Sequence, residues 1–136
     1  MNDCVFCKII RKEIPADFVY ENDKIVAFLD IAPVNKGHTL VVPKEHHSDL
    51  LETPDDVLHD MIVRAKKISK AVMSAVKADG VNLGVNTKPA AGQVIFHTHF
   101  HIIPRFEKDG LRHWPSQKLT NEEMTFAKEA ITRALA

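Results

Sequence analysis

The chain has 136 residues, with 18 Lys plus Arg against 18 Asp plus Glu and a formal net charge of +0 at pH 7. That balance excludes the broad basic field of a general nucleic-acid or anionic-membrane binder, while a small phosphate-bearing ligand needs only local positive charge. Apolar residues at 45% and charged residues at 26% suit one globular domain that buries a core without disulfides. No apolar run approaches the ~20 residues of a membrane span. The apolar stretch after the polar N-terminus is broken by Cys7 and Lys8 and is too short for a secretory signal. A cytoplasmic protein is expected. Both cysteines fall in Cys4-Val5-Phe6-Cys7, a spacing that in a reducing compartment favours a metal or redox role over a structural disulfide.

In chain order, residues 5–11 predict a short amphipathic helix ended by Ile14-Pro15. Phe18-Val19-Tyr20, Glu21-Asn22-Asp23 and residues 25–29 read as strand, turn and strand, and Thr39-Leu40-Val41-Val42 as a third strand bounded by Gly37 and Pro43. Residues 54–79 predict a long helix with one apolar stripe, capped by Thr53, with Pro54 at its first position and Gly80 as its C-terminal cap. A strand over 81–86 and a loop over 87–92 follow. Residues 94–104 predict the longest strand. After an irregular stretch, a final helix starts at Thr120, with a Thr120–Glu123 capping box and a Leu119–Met124 staple. One α+β domain over 1–136 is expected, with an antiparallel sheet, helices on one face, a core at 4–105 and a C-terminal segment at 106–136.

The chemistry concentrates in His97-Thr98-His99-Phe100-His101. On a strand, Ile95, His97, His99, His101 and Ile103 would share one face, with about 7 Å between successive side-chain origins. Val94, Phe96, Thr98, Phe100 and Ile102 would form the other, core-seeking face. Imidazole titrates near neutrality and can attack, carry protons or bind metal. Three aligned imidazoles can divide these roles, one as nucleophile and a neighbour managing protons. A mononuclear metal site on the His-x-His pair is the rival reading.

Residues 92–104, Gly-Gln-Val-Ile-Phe-His-Thr-His-Phe-His-Ile-Ile-Pro, resemble the signature of the histidine triad (HIT) superfamily. So do Cys4 to Pro15, Ala27 to Ile31 and Gly37 to Lys44, in the expected order over about the first 105 residues. The resemblance implies an antiparallel sheet with helices, a homodimer, and a purine nucleotide cleaved at its α-phosphate in a phosphoanhydride or phosphoramidate. It implies His99 as the nucleophile forming a nucleotidyl-histidine, His101 bonding the phosphate or the leaving side, and His38 behind the nucleophile. Asp30 matches the ribose ligand. Phe28, Ile31, Val5, Phe6 and Ile9 match the base pocket, and Asn86 and Gln93 match polar contacts to phosphate or triad. Val94 stands where the Hint branch usually has serine. The third histidine is present rather than glutamine, which disfavours the nucleotidyltransferase branch. The resemblance also implies a structural zinc on Cys4, Cys7, His46 and His97, with His47 as the neighbouring competitor to His46. No magnesium requirement is expected, because the nucleophile is a side chain. A nucleotide-binding regulatory module, or a zinc-stabilised interaction module with incidental catalysis, is the alternative.

Overall fold

The computed structural model describes residues 3–136. Helix α1 (Val5–Ile10) is followed by strands β1 (Phe18–Glu21), β2 (Ile25–Leu29) and β3 (Thr39–Pro43), and then by the long helix α2 (Asp55–Val76). Strands β4 (Gly80–Gly84) and β5 (Phe100–Arg105) and helix α3 (Asn121–Leu135) complete the chain. The five strands form one sheet in the order β1-β2-β3-β5-β4, with every pairing antiparallel. This is the expected α+β architecture.

Helices α1 and α2 lie on opposite faces of the sheet, not on one. Ile25, Ala27 and Val41 pack with Phe100 and Ile102 of β5 against Met61, Ala65 and Ile68 of α2. Their neighbours Val26, Phe28, Leu40 and Val42 point the other way and pack against Phe6 and Ile9 of α1. Strands β2 and β3 are apolar at nearly every position because both of their faces are covered. The six-residue α1 is only ~9 Å long, so it covers part of its face and leaves the rest open beside β5.

The expected strand over 94–104 is the main correction. Only Phe100–Arg105 is strand. Phe100 pairs with Val41, but the next ladder positions on β3 lead to Pro43, which has no N–H to give. The chain leaves the ladder there. The N–H of Thr98 bonds to the carbonyl of His47, and the His97 ring bonds to the carbonyl of Pro43. Strand alternation is therefore lost before Phe100, and Val94 and Phe96 are 78% and 50% exposed instead of buried.

The long helix begins at Asp55 and has no side-chain cap. Thr53 is buried, and its hydroxyl is taken up by Thr98 Oγ1 at 2.7 Å and by the carbonyl of Asp49. Lys77, in the left-handed region at φ 57°, ends the helix, and Gly80 instead opens β4 opposite Arg105. The Thr120–Glu123 capping box is present. Leu119 and Met124, the expected staple around it, are exposed. No helix among the described residues is long and apolar enough to cross a membrane.

Candidate functional site

The protonation of the histidines follows from their backbone partners, because a carbonyl can only accept and an N–H can only donate. His99 Nδ1 lies 2.7 Å from the carbonyl oxygen of His97. That nitrogen carries the hydrogen, and Nε2 keeps the lone pair. The N–H of Val34 donates to His38 Nδ1 at 3.0 Å, so His38 carries its hydrogen on Nε2. Nε2 in turn lies 2.9 Å from His101 Nδ1. His101 then accepts at Nδ1 and is left with an Nε2–H donor. The His99 and His101 rings are 4.9 Å apart between centroids. A nucleophile and a hydrogen-bond donor thus stand side by side.

Burial keeps these rings neutral. It is the largest cause lowering the pKa of His99 and of His38. His101 is lowered to about 4 by burial first and then by His99 and His38. The Asp30 carboxylate, 3.6 Å from His38 Nε2, opposes the shift in all three.

A second cluster lies behind the triad. Cys4 is the N-cap of α1 and accepts from the N–H of Cys7, which puts both thiols on one side of the first turn. His97 Nε2 lies 2.8 Å from the carbonyl of Pro43, so its Nδ1 lone pair faces the sulfurs. Cys4 Sγ and Cys7 Sγ stand 3.4 and 3.6 Å from His97 Nδ1. His46 Nδ1 stands 3.4 Å from Cys7 Sγ and 3.2 Å from His97 Nδ1. Around a tetrahedral zinc, with about 2.3 Å to sulfur and about 2.0 Å to nitrogen, neighbouring donors are about 3.3–3.8 Å apart. The four side chains fit that ion, with His46 and not His47 as the fourth donor. Burial, and then Cys4, push the Cys7 thiol up, so a cation is what would hold it as thiolate.

In front of the triad is a cleft of about 520 Å³. Val5, Phe6, Ile9, Phe28 and Ile31 line it, with Asp30, Asn86, His99 and His101 as its polar members. Phe6 also packs edge-on against the His99 ring, 5.0 Å between centroids.

The sequence pattern of the HIT domain matches residues 11–108. The chain belongs to the HIT family. It is 49% identical over 129 residues to adenylylsulfatase HINT3 of Arabidopsis thaliana, covering 95% of this chain and 64% of that protein. The crystal structure of SMU.412c from Streptococcus mutans UA159 superposes with a TM-score of 0.94 at 40% identity, covering 100% of this chain and 87% of the other. A Zn-bound histidine triad family protein from Mycobacterium smegmatis superposes at 0.79 with 37% identity, covering 86% and 85%.

Two positions carried over from the HIT resemblance sit differently from expectation. His38 does not stand behind His99; the carbonyl of His97 does, and His38 backs His101. Gln93 is buried and fully engaged. Its amide nitrogen donates to the carbonyls of Ser48 and Ile95, and its oxygen accepts from the N–H of Lys88. It shapes the loop that brings Asn86 and Gly92 to the cleft and has no free group for phosphate. Asp30 Oδ1 closes a turn onto the N–H of Ala32 while Oδ2 faces His38.

Other contributors had no signal in the HIT motifs. The N–H of Val34 and the carbonyl of Pro43 set two tautomers. Asp49, buried, caps the turn at Leu50–Glu52 and pairs with Lys88 at 2.7 Å. Trp114 and Pro115, from the irregular stretch, line a second cleft that also contains His38 and His101. Backbone groups and spatial neighbours of this kind leave no spacing pattern in a sequence.

Proposed function

We propose that this protein hydrolyses a purine nucleotide at its α-phosphate, in a phosphoanhydride or phosphoramidate, through a nucleotidyl-histidine intermediate. The observation that carries this reading is the 2.7 Å contact from His99 Nδ1 to the His97 carbonyl, which leaves Nε2 as a neutral nucleophile. In the first step Nε2 attacks the α-phosphorus and the bond to the leaving group breaks. The His97 carbonyl stabilises the positive charge that develops on the His99 ring. His101 Nε2–H donates to the phosphate or to the leaving atom, where negative charge grows, and the leaving nitrogen of a phosphoramidate departs as the amine with a proton from solvent. In the second step water attacks phosphorus, the P–N bond breaks, and a nucleoside monophosphate, a proton and neutral His99 are released. Phe6, Ile9 and Phe28 form an apolar slot for a base, and the Asp30 carboxylate suits the two ribose hydroxyls. Val94 lines the same cleft and offers no hydroxyl to the leaving group. An adenylyl–sulfate anhydride, the substrate named for the Arabidopsis relative, falls within this class.

Zinc on Cys4, Cys7, His46 and His97 would be structural. It would fix His97, whose carbonyl orients the nucleophile, and it takes part in no chemical step. A reducing cytoplasm, where both thiols persist, suits that site. The exposed edge of β4 suits a homodimer.

The test is a quenched reaction with α-labelled substrate. Label recovered on His99 supports the reading. Turnover with no label on His99, or near-normal turnover by His99→Ala, would overturn it.

A further inference from the structure

Lys88 holds a backbone conformation that its side chain disfavours. Its φ is 75° and its ψ 157°, a region populated almost only by glycine. The next residue is Pro89, and a residue before proline is further restricted to extended conformations with negative φ. Lys77 is different: at φ 57° and ψ 45° it ends α2 in the ordinary left-handed region. Strain of the Lys88 kind persists only where the surrounding contacts hold it.

The Lys88 N–H donates to Gln93 Oε1 at 2.9 Å, and its carbonyl accepts from the N–H groups of Ala91 and Gln93. These contacts stay within the loop. The Lys88 ammonium reaches outside it and lies 2.7 Å from Oδ2 of Asp49. Asp49 is the anchored member of the pair. Its side chain is 4% exposed, and Oδ1 accepts from the N–H groups of Leu51 and Glu52. A buried carboxylate is costly without a counter-charge, so Asp49 demands an ammonium at that place.

The segment around Asp49 also grips the histidine stretch. The carbonyl of His47 accepts from the N–H of Thr98 at 2.8 Å, and that of Asp49 accepts from Thr53, whose hydroxyl meets Thr98 Oγ1. The carbonyl of Ser48 accepts from Gln93 Nε2 at 2.7 Å. Residues 47–53 therefore hold both the stretch that bears His99 and the loop over 87–92. The two ends of that loop touch, since a Cβ on Gly92 would lie 3.6 Å from Asn86 Nδ2. Asn86 and Gly92 line the cleft in front of His99 and also the second cleft beside His38. The loop is the wall between the two.

We propose that Asp49 and Lys88 are a positioning pair. Their ion pair holds the strained Lys88 backbone and thereby sets Asn86 and Gly92 at the end of the cleft where His99 and His101 meet the phosphate. The consequence for the substrate rests on the hydrolase reading; the hold on the loop does not. Neither side chain touches a reacting atom.

The experiment compares the zinc-loaded wild type with Asp49→Asn, Lys88→Met, Lys88→Gly, and Asp49→Asn combined with Lys88→Gly. Asp49→Asn keeps an oxygen for Leu51 and Glu52 but removes the charge. Lys88→Met removes the charge and keeps the strain, whereas Lys88→Gly removes both. Amide hydrogen exchange is read at Ala91, Gly92 and Gln93, and affinity for adenosine monophosphate is read by calorimetry. Asp49→Asn and Lys88→Met should speed exchange at those amides by about tenfold and weaken the affinity by about fivefold. Lys88→Gly should stay within about threefold of wild type in both, and should restore both in the Asp49→Asn background. A mere loss of surface charge would not be repaired by deleting the lysine side chain. Unchanged exchange in Asp49→Asn and Lys88→Met would overturn the proposal. So would faster exchange with unchanged affinity, or a Lys88→Gly chain as impaired as Lys88→Met. Exchange is read without ligand, so a wild type that does not bind adenosine monophosphate would sink the nucleotide reading alone and leave the exchange result to decide the pair.

Discussion

The side chain of His97 points into the cysteine cluster while its carbonyl oxygen lies 2.7 Å from Nδ1 of His99. One residue therefore joins a metal-shaped site to the atom that orients the nucleophile. Disturbing the first should be felt at the second.

Metal removal is the direct check. Purified protein should carry near-stoichiometric zinc. Cys4→Ser with Cys7→Ser should lose that zinc, lower Tm and lower kcat more than KM, because the His97 carbonyl loses its fixed place. Added magnesium should not change turnover. A double variant equal to wild type in metal content, Tm and kcat would show that the cluster is plain packing.

The three inner histidines should separate by role. His99→Ala should abolish turnover while leaving nucleotide affinity within about tenfold, since Asp30 and the apolar slot supply ground-state binding. His101→Ala should lower kcat by about 100-fold, the usual loss for one donor to developing charge. His38→Phe removes the acceptor of the Val34 N–H and the partner of His101, and its kcat should fall in the same direction as that of His101→Ala. Equal losses at His99 and His101 would contradict the division of roles.

Acid should destabilise the fold through His101. Its folded pKa, about 4, is below the ordinary 6.5, chiefly through burial. Between those values the unfolded chain holds the extra proton, so stability rises with pH there. It is intact above pH 6.5 and is lost as pH falls toward 4. Tm measured across that window should drop, with a shallower slope in His101→Gln. Identical slopes would place the acid sensitivity elsewhere.

Gln93→Ala leaves a backbone N–H and two carbonyls without partners and should cost about 2 kcal/mol in urea unfolding. KM should rise as the loop bearing Asn86 and Gly92 loosens. A variant as stable as wild type with impaired kcat alone would return Gln93 to direct phosphate contact.

The sequence by itself determined what local pattern can encode. The apolar runs at residues 25–29 and 39–42 marked two strands, while the cover on both of their faces came only with the packing of α1 and α2. Thr120 and Glu123 marked the start of α3, because a capping box is contained in four residues. The His-x-His-x-His and Cys-x-x-Cys spacings, with the blocks around Asp30 and His38, marked the site residues through their resemblance to the HIT superfamily. Tertiary structure decided the rest, for the reason that a hydrogen-bond partner distant in sequence leaves no periodicity. Residues 94–99 alternate like a strand but leave the ladder, because Pro43 offers a carbonyl without an N–H and His97 takes that carbonyl with its ring. Thr53 was the natural cap for α2, and the buried hydroxyl of Thr98 claimed it instead. His38 was placed behind the nucleophile by motif order. The N–H of Val34 turned it toward His101, and in doing so fixed which nitrogen of each ring is free to act.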